Sequence, residues 1–173
     1  MSELRISKPL QRVLAVAVLV ACCVPLSLVA FDTDGPVATP TSAAVAAILA
    51  AMNRERAARG LAPLRLNERL CAAARDRIDD MFAKRYFAHQ SPDGIDPFSW
   101  VIQHGYRYLF AGENLATGYS GTSVVDGWMH SPGHRRNVLG ADYTEVGIAV
   151  ADGSPLRTSG YRGPTVVALY GSR

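Results

Sequence analysis

Apolar residues recur at three- and four-residue spacing through the first half of the chain and at two-residue spacing near its end. Val45, Ile48, Leu49 and Met52 make one stripe, which predicts a helix from Thr41 or Ser42 to about Arg59, closed by Gly60 as a left-handed cap. Leu61 to Leu66 reads as a short extended connection. Asn67 then caps a second helix to about Lys84, with Leu70, Ala74, Ile78, Met81 and Phe82 on its buried face. Ser91-Pro-Asp-Gly94 is a tight turn. Asp96 and Pro97 start a third helix through Trp100 and Ile102, and Gly105 stops it. Thr122 or Ser123 opens a fourth, Val124 to about His130, and Ser131-Pro132 caps a further short turn carrying His134. The period then changes. Val146, Ile148 and Val150 alternate with Glu145, Gly147 and Ala149, which describes a half-buried strand; Pro164 to Tyr170 reads as another, with Asp152 to Arg162 as a Gly/Ser-rich hairpin loop between them. Helices first and strands late predict an α+β sandwich. No internal repeat or low-complexity stretch interrupts this order.

The N-terminus follows a different logic. Arg5, Lys8 and Arg12 precede an apolar run from Val13 to Phe31, broken only by Pro25 and Ser27. A basic start, an apolar middle and small residues at the end describe an export signal over residues 1–30. Three fates fit it. Cleavage after Ala30 releases an exported protein. Processing at Leu19-Val-Ala-Cys22 leaves a lipoprotein acylated at Cys22, although apolar rather than polar residues follow that cysteine. An uncleaved run anchors the chain, since its length is near the minimum for a bilayer span. Residues 31–40 form a linker without apolar periodicity, and one domain is expected over 41–173.

The leader also accounts for the charge. Three of the 18 basic residues and one of the 15 acidic ones lie in the first thirty, so the rest of the chain is close to neutral. Nothing in it resembles an aromatic-and-Arg nucleic-acid surface, and the run Arg54 to Arg59 reads as the solvated face of a helix. Cys71 is the one cysteine outside the leader, which excludes a disulfide within the domain. Its apolar surroundings, Leu70 to Ala74, suit a small buried hydrophobe rather than a reactive thiol.

Candidate chemistry gathers in three segments: Tyr86-Phe-Ala-His-Gln-Ser-Pro-Asp-Gly94, Phe110-Ala-Gly-Glu-Asn-Leu-Ala-Thr-Gly118 and Trp128-Met-His-Ser-Pro-Gly-His-Arg-Arg-Asn-Val-Leu139. They offer His89, His134 and Glu113. Each histidine sits at a Pro/Gly turn rather than on an apolar helix face. Neutral imidazole is the usual protein ligand for a transition metal and the usual proton carrier near neutral pH. The same groups also suit a structural reading, in which they hydrogen-bond one another or the loop backbone. His130 and His134 are four apart, but Pro132 between them breaks the helix a zinc-protease motif needs, so His130 is expected to be exposed. His104 is expected to meet the last carbonyls of the third helix. Glu145 is either solvent-facing or turned into a polar cleft. Gly118-Tyr-Ser-Gly-Thr122 does not complete a Gly-x-Ser-x-Gly nucleophile turn, no strand is predicted to lead into it, and no phosphate-binding glycine loop is present.

Together with Tyr143-Thr-Glu-Val-Gly147 and Asn53-Arg-Glu-Arg-Ala-Ala-Arg-Gly60, these segments resemble the bacterial branch of the CAP superfamily, which groups cysteine-rich secretory proteins, antigen 5 and pathogenesis-related 1 proteins. The resemblance runs from about Ala43 to Gly171. It implies a three-layer α-β-α sandwich with a central antiparallel sheet and a surface cleft. It implies two cleft histidines, matched by His89 and His134, that in some relatives bind zinc or another divalent metal, and a cleft glutamate matched by Glu113. Ser131 occupies the place where eukaryotic relatives carry a second glutamate; Glu145 is the one other carboxylate offered in its stead. The expected function is that of an exported binding module whose cleft takes a divalent metal or small ligand. Two alternatives stand beside it: a zinc-dependent, protease-like hydrolase with Glu113 as general base and Glu145 as a further catalytic carboxylate, and a lipid-binding or structural interaction domain. No nucleic-acid partner is expected, and membrane contact only through residues 1–30.

Overall fold

A computed structural model describes residues 40–156 and 163–173. The leader, nearly all of the linker and part of the last hairpin loop lie outside these residues. The elements run α1 (Pro40–Ala57), β1 (Arg65–Leu66), α2 (Glu68–Lys84), α3 (Pro97–Gln103), β2 (Phe110–Thr117), α4 (Ser123–His130), α5 (Pro132–Val138), β3 (Glu145–Ala151) and β4 (Thr165–Ser172).

The caps form as the residue types dictate. Asn67 accepts from the amides of Arg69 and Leu70 at 3.0 and 3.3 Å, and Asp96 accepts from Phe98 and Ser99 at 2.8 and 3.1 Å. Gly60 and Gly105 take positive φ after α1 and α3.

The strands order as β1-β3-β4-β2. β3–β4 and β4–β2 are antiparallel. The two-residue β1 lies parallel to β3, pairing Arg65 with Glu145 and Leu66 with Val146, so the expected antiparallel sheet carries one short parallel edge.

Helices cover both faces. Ile48 and Met52 of α1, Val124, Val125 and Trp128 of α4 and Val138 of α5 pack on Val146, Ile148, Val166, Ala168 and Tyr170. Leu70, Ala74, Ile78 and Met81 of α2 and Trp100 and Val101 of α3 pack on Leu115, Ala149, Val167 and Leu169. Alternate residues of β4 thus serve opposite layers, which is why every one of them is buried. This corrects the half-buried reading of β3: the face of Gly147 and Ala149 is covered by α2. A Cβ on Gly147 would stand 2.0 Å from the backbone carbonyl carbon of Leu70, so the helix backbone lies directly on the strand there.

Two further expectations change. Arg56 is 1% exposed, not part of a solvated face. It points inward, where its guanidinium donates to the carbonyls of Ala62, Val138, Gly140 and Tyr143 at 2.8 to 3.1 Å. The last three of those oxygens lie at the end of α5 and in the turn beyond it, so α1 holds the C-terminal end of α5 by charge-assisted bonds. The His104 ring meets Asp76 on α2, Nε2 to Oδ2 at 2.7 Å, and only its backbone N–H donates to a carbonyl ending α3, that of Trp100 at 3.0 Å.

Candidate functional site

β2 is the strand that periodicity misses, and the site is built on its outer edge. Gly118 donates to Pro164 at 3.1 Å, and the side chains of Thr117 and Thr165 meet at 3.2 Å as in a non-hydrogen-bonded antiparallel pair. By the two-residue alternation, the N–H and C=O groups of Ala111, Glu113, Leu115 and Thr117 face away from β4. Three of those carbonyls are taken by side chains from α4, α5 and the turn beyond. Tyr143 Oη donates to Ala111 O at 3.1 Å, Asn137 Nδ2 to Glu113 O at 3.0 Å, and Trp128 Nε1 to Leu115 O at 3.2 Å. Gly112 leaves the room: a Cβ there would stand 2.6 Å from Tyr143 Oη. The buried side chain of Asn114 donates to the carbonyl of His134 at 3.0 Å and to Tyr170 Oη at 3.1 Å, and accepts from Asn137 at 2.8 Å. α5, and His134 with it, is therefore fastened to β2.

Glu113 projects to the opposite face, toward α2, and its side chain is only 2% exposed. Its Oε2 accepts from Arg77 Nε at 3.1 Å and its Oε1 meets His89 Nδ1 at 2.7 Å. Arg77 has no solvent exposure, and its other nitrogens reach Tyr86 Oη and the carbonyls of Ala88 and His89, the last at 2.7 Å. The guanidinium also lies 5.0 Å from the Trp100 ring centroid. One buried cation thus positions both the carboxylate and the backbone of the histidine that the carboxylate touches. The turn carrying His89 is closed on its far side by Ser91, which bonds Ile95 and Gly94 through its backbone and Asp93 and Ile95 through Oγ.

With the carboxylate accepting from Arg77, His89 Nδ1 is the donor, and Nε2 carries the lone pair when the ring is neutral. The hydrogen bond to Glu113 pushes the His89 pKa up. Burial, and then the proximity of His89, push that of His134 down. The ring of His89 is 60% exposed. Among the described residues, no three His, Cys, Asp or Glu groups converge as a metal set. Neutral imidazoles at His89 and His134 offer two borderline nitrogens, one short of the three protein ligands of catalytic zinc. Glu113 is placed to orient His89, with Oε1 on the ring and Oε2 on Arg77.

Glu145 stands apart. It lies two strands from Glu113, on β3, and accepts from Tyr106 Oη at 2.6 Å, Asn67 Nδ2 at 2.9 Å and Arg173 at 3.1 and 3.2 Å. Burial raises its pKa, but the bonds from Tyr106, Asn67 and Arg173 outweigh it and leave the carboxyl below its ordinary value. It lines a separate hollow with Ala62, Pro63, Arg65 and Thr144. His130 is exposed, as expected, its Nδ1 on the carbonyl of Asp126. Cys71 is half-buried. A strand does lead into Gly118-Tyr-Ser-Gly-Thr122, contrary to expectation, yet the segment turns into α4 without forming a nucleophile turn.

Of the groups that shape the site, sequence reading missed Arg77. The signal was present: position 77 continues the stripe of Leu70, Ala73, Ala74, Ile78 and Met81, and an arginine on a buried stripe calls for a buried carboxylate.

The model of the cysteine-rich secretory protein family, CAP, matches residues 49–170. The Bacillus subtilis protein YkwD is 39% identical over 112 residues, which cover 64% of this chain and 44% of YkwD, so the chain spans less than half of that relative's length. Among solved structures, an extracellular protein of Bacillus anthracis containing an SCP domain superposes with a TM-score of 0.65 at 23% identity, over 80% of this chain and 45% of that one. An outer surface protein of Borrelia burgdorferi gives 0.64 at 21% identity, over 76% and 93%.

Proposed function

The chain belongs to the bacterial branch of the cysteine-rich secretory protein family, CAP, and from that premise we propose that it acts outside the cytoplasm as a binding module that seats a divalent metal or small polar ligand between His89 and His134. The single observation that carries this reading is the 2.7 Å contact of His89 Nδ1 with Glu113, which leaves Nε2 as a ligand nitrogen beside a second imidazole. The extracellular and outer-surface relatives support the location, as does the basic-then-apolar leader. A bound cation would bring Lewis acidity and open coordination positions. The chain's own part is to orient the His89 ring through Arg77 and Glu113 and to hold the backbone that carries His134 through Asn114.

The binding reading is favoured over the hydrolase because two imidazoles are one ligand short of a catalytic zinc set, and because Glu113 already serves Arg77 and His89. Zinc titration of the purified protein beside a His89→Ala/His134→Ala variant tests it. Stoichiometric binding lost in the variant is the expected result; binding retained in the variant removes the site.

A further inference from the structure

Beside His134, the edge of β2 opens into a cleft of about 370 Å³ lined by Phe87, Thr117, Tyr119, Trp128 and Leu156, at the small end of the roughly 300–1,000 Å³ typical of ligand pockets. Two features indicate that it is built. Gly127 lies inside α4, where glycine costs about 1 kcal/mol relative to alanine. The ring of Tyr119 occupies the vacated space: a Cβ on Gly127 would stand 2.6 Å from its Cε1 and Cζ. Yet Tyr119 is still 41% exposed, so the seat is not explained by burial of the ring. It holds an aromatic face against the cleft.

The second feature is the backbone at the cleft floor. The carbonyls of Ala111, Glu113 and Leu115 are capped by side chains. At Thr117, one rung further, both N–H and C=O face the cleft by strand alternation, and no hydrogen bond from either to another described residue is seen. A strand edge whose carbonyls are capped for three rungs and uncapped at the rung beside an apolar cleft is suited to receive one peptide unit there, whose N–H the Thr117 carbonyl accepts and whose carbonyl the Thr117 N–H meets.

We propose that this cleft is a recognition subsite for a peptide in extended conformation: a branched or aromatic side chain enters between Tyr119, Trp128 and Phe87, its backbone pairs with Thr117, and the adjoining carbonyl reaches the histidines. The last part rests on the reading of His89 and His134 as the polar end of the site; the side-chain and backbone parts do not. A long acyl chain would have no use for the open rung, which is why the peptide is favoured over a lipid tail.

The test is an NMR titration of the isotopically labelled protein, without metal, with acetyl-Gly-Leu-Gly-amide, acetyl-Gly-Gly-Gly-amide and octanoate. The leucine peptide is expected to shift the Thr117 amide and the Trp128 indole N–H, and to bind at least tenfold more tightly than the triglycine peptide. Gly127→Ala restores a favoured helix residue and displaces Tyr119, so it should fold at least as well and lose that tenfold margin; Tyr119→Ala should lose it too. Equal binding of the two peptides, shifts confined to other regions, an unchanged margin in Gly127→Ala, or octanoate alone shifting these signals would each overturn the proposal. Zinc added to the same samples, followed at the two imidazoles, reads the histidine site separately, so its failure and that of the peptide subsite are distinguishable.

Discussion

Arg77 donates to the backbone carbonyl of His89 at 2.7 Å from a side chain with no solvent exposure. The same guanidinium holds the carboxylate that touches the His89 ring. The orientation of this imidazole is therefore fixed from beneath, by α2 and β2, although the ring itself is open to solvent.

Removing that cation should be costly. Arg77→Met leaves Glu113 buried without its counter-ion, and breaking a buried ion pair from one side costs about 3–5 kcal/mol. Denaturant unfolding reads the loss. A cost below about 1 kcal/mol would show that the pair does not support the fold. Arg77→Lys should recover part of the stability, since it restores charge but not the forked geometry that serves Glu113 and two carbonyls together.

The two imidazoles should titrate on opposite sides of the ordinary histidine value near 6.5, His89 above it and His134 below. Because the folded pKa of His89 is raised, its pair with Glu113 contributes fully below the unfolded pKa and fades as pH rises through the folded one. His89→Ala should move the His134 titration upward by removing a neighbouring positive charge. Ring signals followed by NMR between pH 4 and 9 in both proteins check the titrations, denaturant unfolding over the same range checks the fading contribution, and coincident titrations in the native protein would contradict the placement of the rings.

Glu145 and Glu113 should separate cleanly. Glu145→Ala strips partners from Tyr106, Asn67 and Arg173 and should cost about 1–3 kcal/mol, the range for leaving polar groups unmatched. It should leave histidine-dependent zinc affinity unchanged. A parallel loss of zinc binding would bring Glu145 back into the site.

Gly147→Ala is expected to be the most damaging of the small substitutions. The added methyl would meet the backbone of Leu70 and Cys71 at 2.0 to 2.3 Å, where no side-chain rotation can relieve it. The cost should reach or exceed the about 1–3 kcal/mol of ordinary overpacking. Thermal unfolding reads it, with Gly133→Ala as control, since a Cβ there meets nothing closer than 4.0 Å.

The first four helices were legible from their apolar stripes, with the caps Asn67 and Asp96 marking α2 and α3, whereas α5, expected as a short turn, is a helix over Pro132–Val138. β3 was legible from alternation and β4 from its apolar run Thr165 to Tyr170, although the cover on the second face of β3 was not, because Gly147 and Ala149 give little hydrophobic signal there. β2 was not legible. Its centre, Gly112-Glu-Asn114, has low strand propensity and is held extended by pairing with β4 and by caps from distant residues. Of the site, His89, Glu113 and His134 stood out from their turn contexts and the family resemblance. The separation of Glu145 from them could not be read, because strand order decides it. Arg56 and Arg77 were hidden for one reason: charge suggests solvent, and only a tertiary partner, carbonyls in one case and a carboxylate in the other, reverses that expectation.

The three side-chain caps along β2 also act as a ruler. They fall on carbonyls two residues apart, at 111, 113 and 115, and come from Tyr143, Asn137 and Trp128, outside the sheet. If β2 slipped by one residue, each oxygen would turn away from its donor; if it slipped by two, every donor would face the wrong rung and Gly112 would no longer lie under Tyr143. A strand too polar to choose its own alignment is thus aligned by indole, amide and phenol, and Glu113 arrives opposite His89 because residues more than a dozen positions downstream do the measuring.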